Sequence, residues 1–156
     1  MRGKTAKKRE LNPDLKYRSV TVEKFINKVM TRGQKETARK LVYSAFDILK
    51  DKTGKEPLEI FETALKNSAP LLEVKPRRIG GATYQVPQEV SAARRETLAM
   101  RWILTAARKG TGRSFDKILA DELLATYSNT GTAIKQKENM HKMAEANKAF
   151  AHYARF

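Results

Sequence analysis

The stretch that decides the fold is EVKPRRIGGATYQVPQ, residues 73–88, because it interrupts a chain otherwise patterned for helices. It carries two prolines and a Gly80-Gly81 pair between residues that favour strands. Gly-Gly between two such runs predicts a two-residue hairpin turn. That register sets three pairs opposite each other: Ile79 with Ala82, Arg77 with Tyr84, and Lys75 with Val86. Since proline lacks a ladder donor and two strands alone are marginal in water, we predict a hairpin that projects from a helical body.

Six helices are predicted around this hairpin, because apolar residues recur every three or four positions. They are expected over residues 20–31, 34–50, 57–69, 92–109, 115–127 and 133–150. Gly33 should end the first helix, Pro57 should begin the third and Ser91 should cap the fourth. The prediction is a mainly α fold in one domain, residues 1–156. It comprises a six-helix, bundle-like body, a projecting β-hairpin arm (73–90) and a basic, partly extended N-terminal arm (1–18).

The composition points to a polyanionic partner. Lys and Arg total 32 against 17 Asp and Glu, which gives a net charge of +15. Such a chain repels itself unless nucleic acid, an anionic membrane or salt neutralises it. There are no cysteines, which excludes disulfides and thiolate metal sites and suits a reducing cytosol. No apolar run approaches a membrane span, and the N-terminus does not resemble a secretory signal.

The positive charge is uneven along the chain. Residues 1–18 hold seven basic and two acidic side chains, and we interpret them as an arm that orders on binding. Residues 92–113 hold six basic side chains and one acid, whereas residues 47–62 hold five acids and three basic groups. One side of the molecule is therefore expected to face a polyanion, and another to face water.

The fourth predicted helix carries a stripe of arginines. Arg94, Arg101 and Arg108 are seven residues apart, so they drift only about 20° per step around the helix. The opposite sector holds Ala99, Trp102, Ile103 and Ala106. Guanidinium groups match phosphate geometry, and rows of them are typical of a phosphate-binding face. The alternative is a solvated face with local ion pairs, for which the sequence offers only Glu96 nearby.

The hairpin offers a second basic surface. From residue 75 to residue 88 there are three basic side chains and no acid. Tyr84 could stack on a nucleic-acid base, or it could pack over the stem of Arg77. The sequence alone leaves both interpretations open.

Residues for catalysis are not apparent. His141 and His152 lie in or just after the last predicted helix, where a histidine is more often a packing or surface residue than a base. Glu138 and His141 have the spacing of one half of a di-iron site, but the rest of that site is not evident. The segment from Gly110 to Gly112 follows a helix and lacks the Gly-Lys-Ser/Thr of a phosphate loop. The sequence therefore favours a protein that is not an enzyme and that has no metal or other cofactor.

Several motifs resemble one known family. They are Arg78–Pro87 in the hairpin (RIGGATYQVP), Lys24–Asn27 in the first helix (KFIN), Met143–Tyr153 near the end (MAEANKAFAHY), with Met100–Ile103 (MRWI) and the N-terminal Arg2-Gly-Lys4. Together they resemble small-subunit ribosomal protein seven of bacterial type, over nearly the whole chain.

The resemblance implies six helices with a long hairpin between the third and fourth. It implies a non-enzymatic, cytoplasmic ribosomal protein that binds the 3′ major domain of small-subunit (16S) ribosomal RNA and nucleates assembly of the subunit head. It also implies a place at the subunit interface near the decoding region. The expected partners are the exit-site transfer RNA, messenger RNA and small-subunit ribosomal proteins nine and eleven, without a membrane or a functional homo-oligomer.

Two sets of site residues follow from the charge pattern and this resemblance. We predict ribosomal RNA contacts at Arg2, Lys4, Lys7, Lys8, Arg9, Lys24, Lys28, Lys35, Lys75, Arg77, Arg78, Arg94, Arg95, Arg101, Arg108, Lys109 and Arg113. We predict proximity to exit-site transfer RNA at Ile79, Gly80, Gly81, Ala82, Thr83, Tyr84, Lys142 and Tyr153.

Two other classes of function compete with this hypothesis. An architectural DNA-binding protein could insert a basic hairpin into the minor groove, but here the charge also covers helices and the N-terminus. An RNA-modifying enzyme would need a cofactor pocket or a catalytic set, and the sequence indicates neither.

Overall fold

The computed structural model describes Gly3 and residues 10–155, the last two of these in backbone only. The described elements are α1 (Val20–Val29), α2 (Lys35–Thr53), α3 (Pro57–Ser68), β1 (Leu72–Ile79), β2 (Ala82–Glu89), α4 (Ala92–Lys109), α5 (Phe115–Tyr127), α6 (Gly131–Ala146) and a C-terminal 3₁₀ helix (Lys148–Arg155). The prediction of a mainly α fold with a hairpin between the third and fourth helices is confirmed. No helix among the described residues combines the length and the apolar character that a membrane crossing requires.

The core lies where the predicted apolar stripes meet. Phe25 of α1 packs on Phe61 of α3 with ring centroids 5.0 Å apart, and Phe46 of α2 packs on Phe61 at 5.3 Å. All three rings are fully buried, as are Ile103 of α4 and Leu123 of α5. Burying a side chain of this size contributes about 1.5–3 kcal/mol, so these five helices are held mainly by one shared apolar cluster.

The ends of the first two helices differ from the prediction. The first helix ends at Val29 instead of residue 31, and Gly33 lies beyond its end with a φ of +77°. The second helix continues to Thr53 through part of the predicted loop. The Thr53 hydroxyl donates to the Leu49 carbonyl at 2.7 Å, and Gly54 closes the helix in the left-handed conformation that glycine adopts readily.

The last predicted helix is divided into two elements. It begins at Gly131, where the Ala133 N–H donates to the Glu122 carboxylate of α5 at 2.9 Å. It ends at Ala146 instead of residue 150, because the Asn147 side chain donates to the Met143 carbonyl at 2.8 Å and the chain tightens into the 3₁₀ helix. A contact from α5, distant in sequence, therefore starts this helix, and a local side-chain hydrogen bond accompanies its end.

The hairpin has the predicted register, with Arg77 opposite Tyr84 and Ile79 opposite Ala82. Gly80 and Gly81 make the turn with φ of +56° and +89°. Its base does not stand free, however, since β2 packs along the 3₁₀ helix and β1 packs against α6. Ser91 occupies the cap position of α4, but the expected side-chain cap hydrogen bond is absent and only its carbonyl accepts from the first turn.

Residues 14–19 of the N-terminal segment are packed against α2. Residues 14–19 form a turn around the buried Asp14 carboxylate, which Tyr43 of α2 contacts. The expectation that residues 1–18 order only on binding is therefore wrong for residues 14–18. The predicted contacts of Arg2, Lys4, Lys7, Lys8 and Arg9 lie outside the described residues.

Candidate nucleic-acid interface

The arginine stripe lies on the solvent face of α4. Arg94, Arg101 and Arg108 are all exposed. Trp102 and Ile103, from the opposite sector, are buried in the core. The helix is thus fixed by its apolar side, and its other side presents three guanidinium groups in a row.

A groove between α1 and α4 continues the stripe. One hollow of about 430 Å³ is lined by residues that include Lys24, Asn27, Lys28 and Thr97. The next hollow, of about 200 Å³, is lined by Lys28, Arg101, Leu104, Thr105 and Arg108. Since Lys28 lines both hollows, they form one groove with ammonium, guanidinium, amide and hydroxyl donors.

The surroundings of Lys28 in this groove lower its pKa. Burial lowers the pKa of Lys28, and the charge of Arg101 lowers it further, against the opposing effect of Glu96. A lowered lysine pKa means that its charge is unfavourable in this place. A bound anion would relieve that cost, because it would supply the missing negative charge.

Other side chains in the groove are held by local contacts. Lys24 pairs with Glu96 of α4 at 2.9 Å. Arg108 donates to the Lys28 and Val29 carbonyls at the end of α1, each at 3.3 Å. These contacts tie α1 to α4 and set the width of the groove.

Arg94 has an ion-pair partner that the sequence analysis missed. Glu73 of β1, only 6% exposed, pairs with Lys75 at 2.7 Å and with Arg94 at 3.3 Å. Burial raises the pKa of Glu73, but the hydrogen bond from Lys75 and the charge of Arg94 outweigh that effect and lower the pKa overall. The expectation that only Glu96 could pair near the stripe is therefore wrong, and Glu73 joins the hairpin base to α4.

Tyr84 packs on aromatic side chains of the C-terminal 3₁₀ helix. Its ring lies 5.1 Å from the ring of Phe150 and 5.8 Å from that of Tyr153, between centroids. Two residues predicted to lie near transfer RNA, Tyr84 and Tyr153, are thus in contact. Phe150, which was not predicted, belongs to the same aromatic cluster. Gly80, Gly81, Ala82 and Thr83 are exposed at the tip beside the half-buried Ile79, and Lys142 is exposed on α6.

Of the remaining residues predicted to contact ribosomal RNA, some are paired within the protein and others are exposed. Lys35 pairs with the buried Glu23, and Arg113 pairs with Asp121 at 2.7 Å. Arg95 donates to the Val90 carbonyl at 2.9 Å. Arg78 and Lys109 are exposed, and Arg77 is half-buried. The basic residues of α1 and α4 therefore lie together at the groove, whereas Arg113 lies beside Asp121 of α5.

Asn27, Thr97 and Thr105 line the groove between its charges and were not among the predicted contacts. Asn27 lies three residues after Lys24 and one before Lys28, so helical spacing could have placed it on the same face. No local signal could have found the pair of Glu73 with Arg94, because it joins a strand to a helix across 21 positions.

His141 makes a hydrogen bond that connects two parts of the fold. Nε2 of His141 accepts a hydrogen bond from the Leu71 N–H at 3.0 Å. Burial lowers the pKa of His141, and the charge of Lys137 lowers it further. His141 thus joins α6 to the start of the hairpin as a neutral acceptor. Among the described residues, no group of three or more His, Asp or Glu side chains has the arrangement of a metal site.

Comparison with known proteins gives matches over nearly the whole chain. A family model described as ribosomal protein S7p/S5e matches residues 1–148. The small ribosomal subunit protein uS7 of Thermotoga petrophila is 58% identical over 153 residues, covering 98% of this chain and 99% of that protein. The uS7 of Treponema denticola is 55% identical over 152 residues, covering 97% of each chain. That of Chloroflexus aggregans is 57% identical over 148 residues, covering 95% of this chain and 94% of that protein.

Proposed function

We propose that this chain, which belongs to the ribosomal protein S7p/S5e family, binds small-subunit ribosomal RNA through the groove between α1 and α4. Members of that family are structural proteins of the small ribosomal subunit and not enzymes. The observation that carries this proposal is the exposed row of Arg94, Arg101 and Arg108 beside Lys28. The whole chain would act as one RNA-binding unit.

The mechanism is electrostatic scaffolding. Where several RNA helices meet, their phosphates repel one another, and cations fixed on a rigid helix offset that repulsion. The groove can seat one backbone, since its hydroxyl and amide groups add hydrogen bonds between the charges. Side chains cannot read the deep groove of A-form RNA, so recognition should depend mainly on RNA shape.

The finer location is also part of the proposal. We place the RNA site in the 3′ major domain, where the protein would nucleate assembly of the subunit head at the subunit interface near the decoding region. The hairpin tip and the C-terminal 3₁₀ helix would then lie near the exit-site transfer RNA and messenger RNA. Ribosomal proteins nine and eleven would be its neighbours. What supports this is the family membership, together with the contact of Tyr84 with Tyr153 that unites the two predicted segments.

A competition assay at fixed salt tests the proposal. The protein is bound to a labelled transcript of the 3′ major domain and challenged with unlabelled folded ribosomal RNA or with random duplex DNA. We expect ribosomal RNA to compete at much lower concentration, because the cations are arranged for a folded RNA. Equal or better competition by duplex DNA would favour an architectural DNA-binding protein and contradict the proposal.

A further inference from the structure

Asp14 is an unusual residue for an N-terminal segment. Its side chain is buried, with the residue only 2% exposed. One carboxylate oxygen accepts from the Lys16 and Tyr17 N–H groups at 3.1 and 3.0 Å, and the other accepts from the Tyr43 hydroxyl at 2.7 Å. A buried carboxylate is costly unless it is hydrogen-bonded, so the three donors act together to hold residues 14–19, the Asp14 turn.

The Asp14 turn is fastened to α2. The Tyr17 ring packs edge-on against Tyr43 and Phe46, with centroids 6.0 and 5.3 Å away. Lys16 pairs with Asp47 at 2.8 Å. Burial and the hydrogen bond to Asp14 raise the pKa of Tyr43 to about 12, so its hydroxyl remains a donor at neutral pH.

The turn also sets the direction of the chain before it. The Asp14 N–H donates to the Ser19 carbonyl at 3.2 Å, and the Arg18 N–H donates to the Asp14 carbonyl at 2.9 Å, which closes a reversal. On the other side of this reversal, Leu11 lines the hollow that contains Lys24 and Lys28. The segment therefore passes from α2 to the mouth of the groove between α1 and α4.

We propose that Asp14 and Tyr43 are positioning residues for RNA binding, which direct the basic N-terminal segment to the groove between α1 and α4. This inference rests on the proposed function. The five basic residues at positions 2–9 precede Leu11 in the chain, so the turn fixes the point from which that part of the chain begins. Holding a binding element near its site reduces the entropy lost on association.

The inference predicts a coupling between the turn and the N-terminal charges. Asp14→Ala removes all three hydrogen bonds, and Tyr43→Phe removes one while it keeps the ring that packs on Tyr17. Each is made in the full chain with the native N-terminus, and again with Arg2, Lys4, Lys7, Lys8 and Arg9 all replaced by Gln. Affinity for the 3′ major domain transcript is measured for every protein that melts cooperatively.

We expect each turn variant to lower affinity about three- to tenfold when the N-terminal charges are present, by loss of preorganisation. The same variant should change nothing when those charges are absent. Ser44→Ala is the matched control, because the neighbouring α2 hydroxyl also donates to a carboxylate, Asp116, at 2.6 Å. It should leave affinity unchanged in both proteins.

Equal losses in both backgrounds would show a general structural role for the turn and would overturn the inference. An unchanged affinity for Tyr43→Phe with the native N-terminus would overturn it as well. Failure of the unmodified protein to prefer ribosomal RNA would instead refute the proposed function, so the two failures are distinguishable.

Discussion

Arg101 differs from the other two arginines of the stripe. Arg94 pairs with Glu73, and Arg108 donates to backbone carbonyls. Within the part of the chain that the structure describes, Arg101 has neither an ion pair nor a hydrogen bond, and it lines the groove beside Lys28. An arginine without an internal partner gives up no ion pair or hydrogen bond within the protein when it exchanges water for a phosphate. Arg101 is therefore expected to contribute most per residue to RNA binding.

Arg101→Gln should lower RNA affinity several-fold and reduce the salt slope by about one, the value for one lost phosphate contact. Arg113→Gln removes the same charge from a residue already paired with Asp121, so its effect should be smaller. Filter-binding or fluorescence titrations over a range of salt concentrations measure both. A larger effect for Arg113→Gln would indicate that the RNA site does not lie in the groove between α1 and α4.

His141 makes stability depend on pH. Burial lowers its pKa below the usual value in the folded protein, so folding favours the neutral form. The contribution of His141 is fully present above its unfolded pKa of about 6.5, and it is lost as the pH falls through the lower folded pKa. The N–H of Leu71 would then face a protonated ring that can no longer accept.

Thermal melts at pH 7.5 and pH 5 test this effect. The wild-type protein should lose more stability on acidification than His141→Gln, because the Gln carbonyl can still accept from Leu71 and does not titrate. An equal loss in both proteins would show that other groups determine the pH dependence.

At the scale of elements, the hairpin tip adds little to the fold. None of residues 77–84 is buried, whereas Glu73, Val86 and Pro87 at the base are. The apolar cluster of the helices includes no residue of the tip. Residues 80–83 at the turn are exposed and available for binding, whereas Tyr84 packs on the C-terminal 3₁₀ helix and the base of the hairpin contacts α4 and α6.

Deletion of residues 77–84, with the strands rejoined, should leave cooperative melting of the helices intact when it is followed by circular dichroism. Phe61→Ala is the comparison, because removal of a fully buried ring costs about 3–5 kcal/mol. Loss of cooperative melting on deletion would refute the view that the tip lies outside the core.

The sequence predicted those elements whose signals are local. The apolar periods located α4 and α5 with the observed bounds, and Gly80-Gly81 located the hairpin turn and register. The start of α6 at Gly131 and the contact of Tyr84 with Phe150 were not predicted, because they depend on contacts between different elements. For the same reason the sequence revealed the arginine stripe but not the hydrogen bonds that Glu73 and Tyr43 make.

At the scale of the whole molecule, folding gathers part of the +15 excess of charge on one surface. α1 and α4 bring Lys24, Lys28, Arg101 and Arg108 together around a groove, and the charge of Arg94 also acts on Lys28. The acids of α5 are engaged elsewhere, as Asp121 pairs with Lys52 at 2.5 Å and also with Arg113. RNA binding should therefore depend on where the charges lie, and not only on their number.

The salt dependence of binding to the 3′ major domain transcript tests this expectation most directly. Arg94, Arg101 and Arg108 are replaced together by Gln, and a control protein loses the same charge by replacement of the exposed Lys50, Lys66 and Lys117 on α2, α3 and α5. The stripe variant should bind more weakly, with a slope of log affinity against log salt that is smaller by about two to three, while the control keeps most of the wild-type slope. Equal slopes for the two variants would contradict the account.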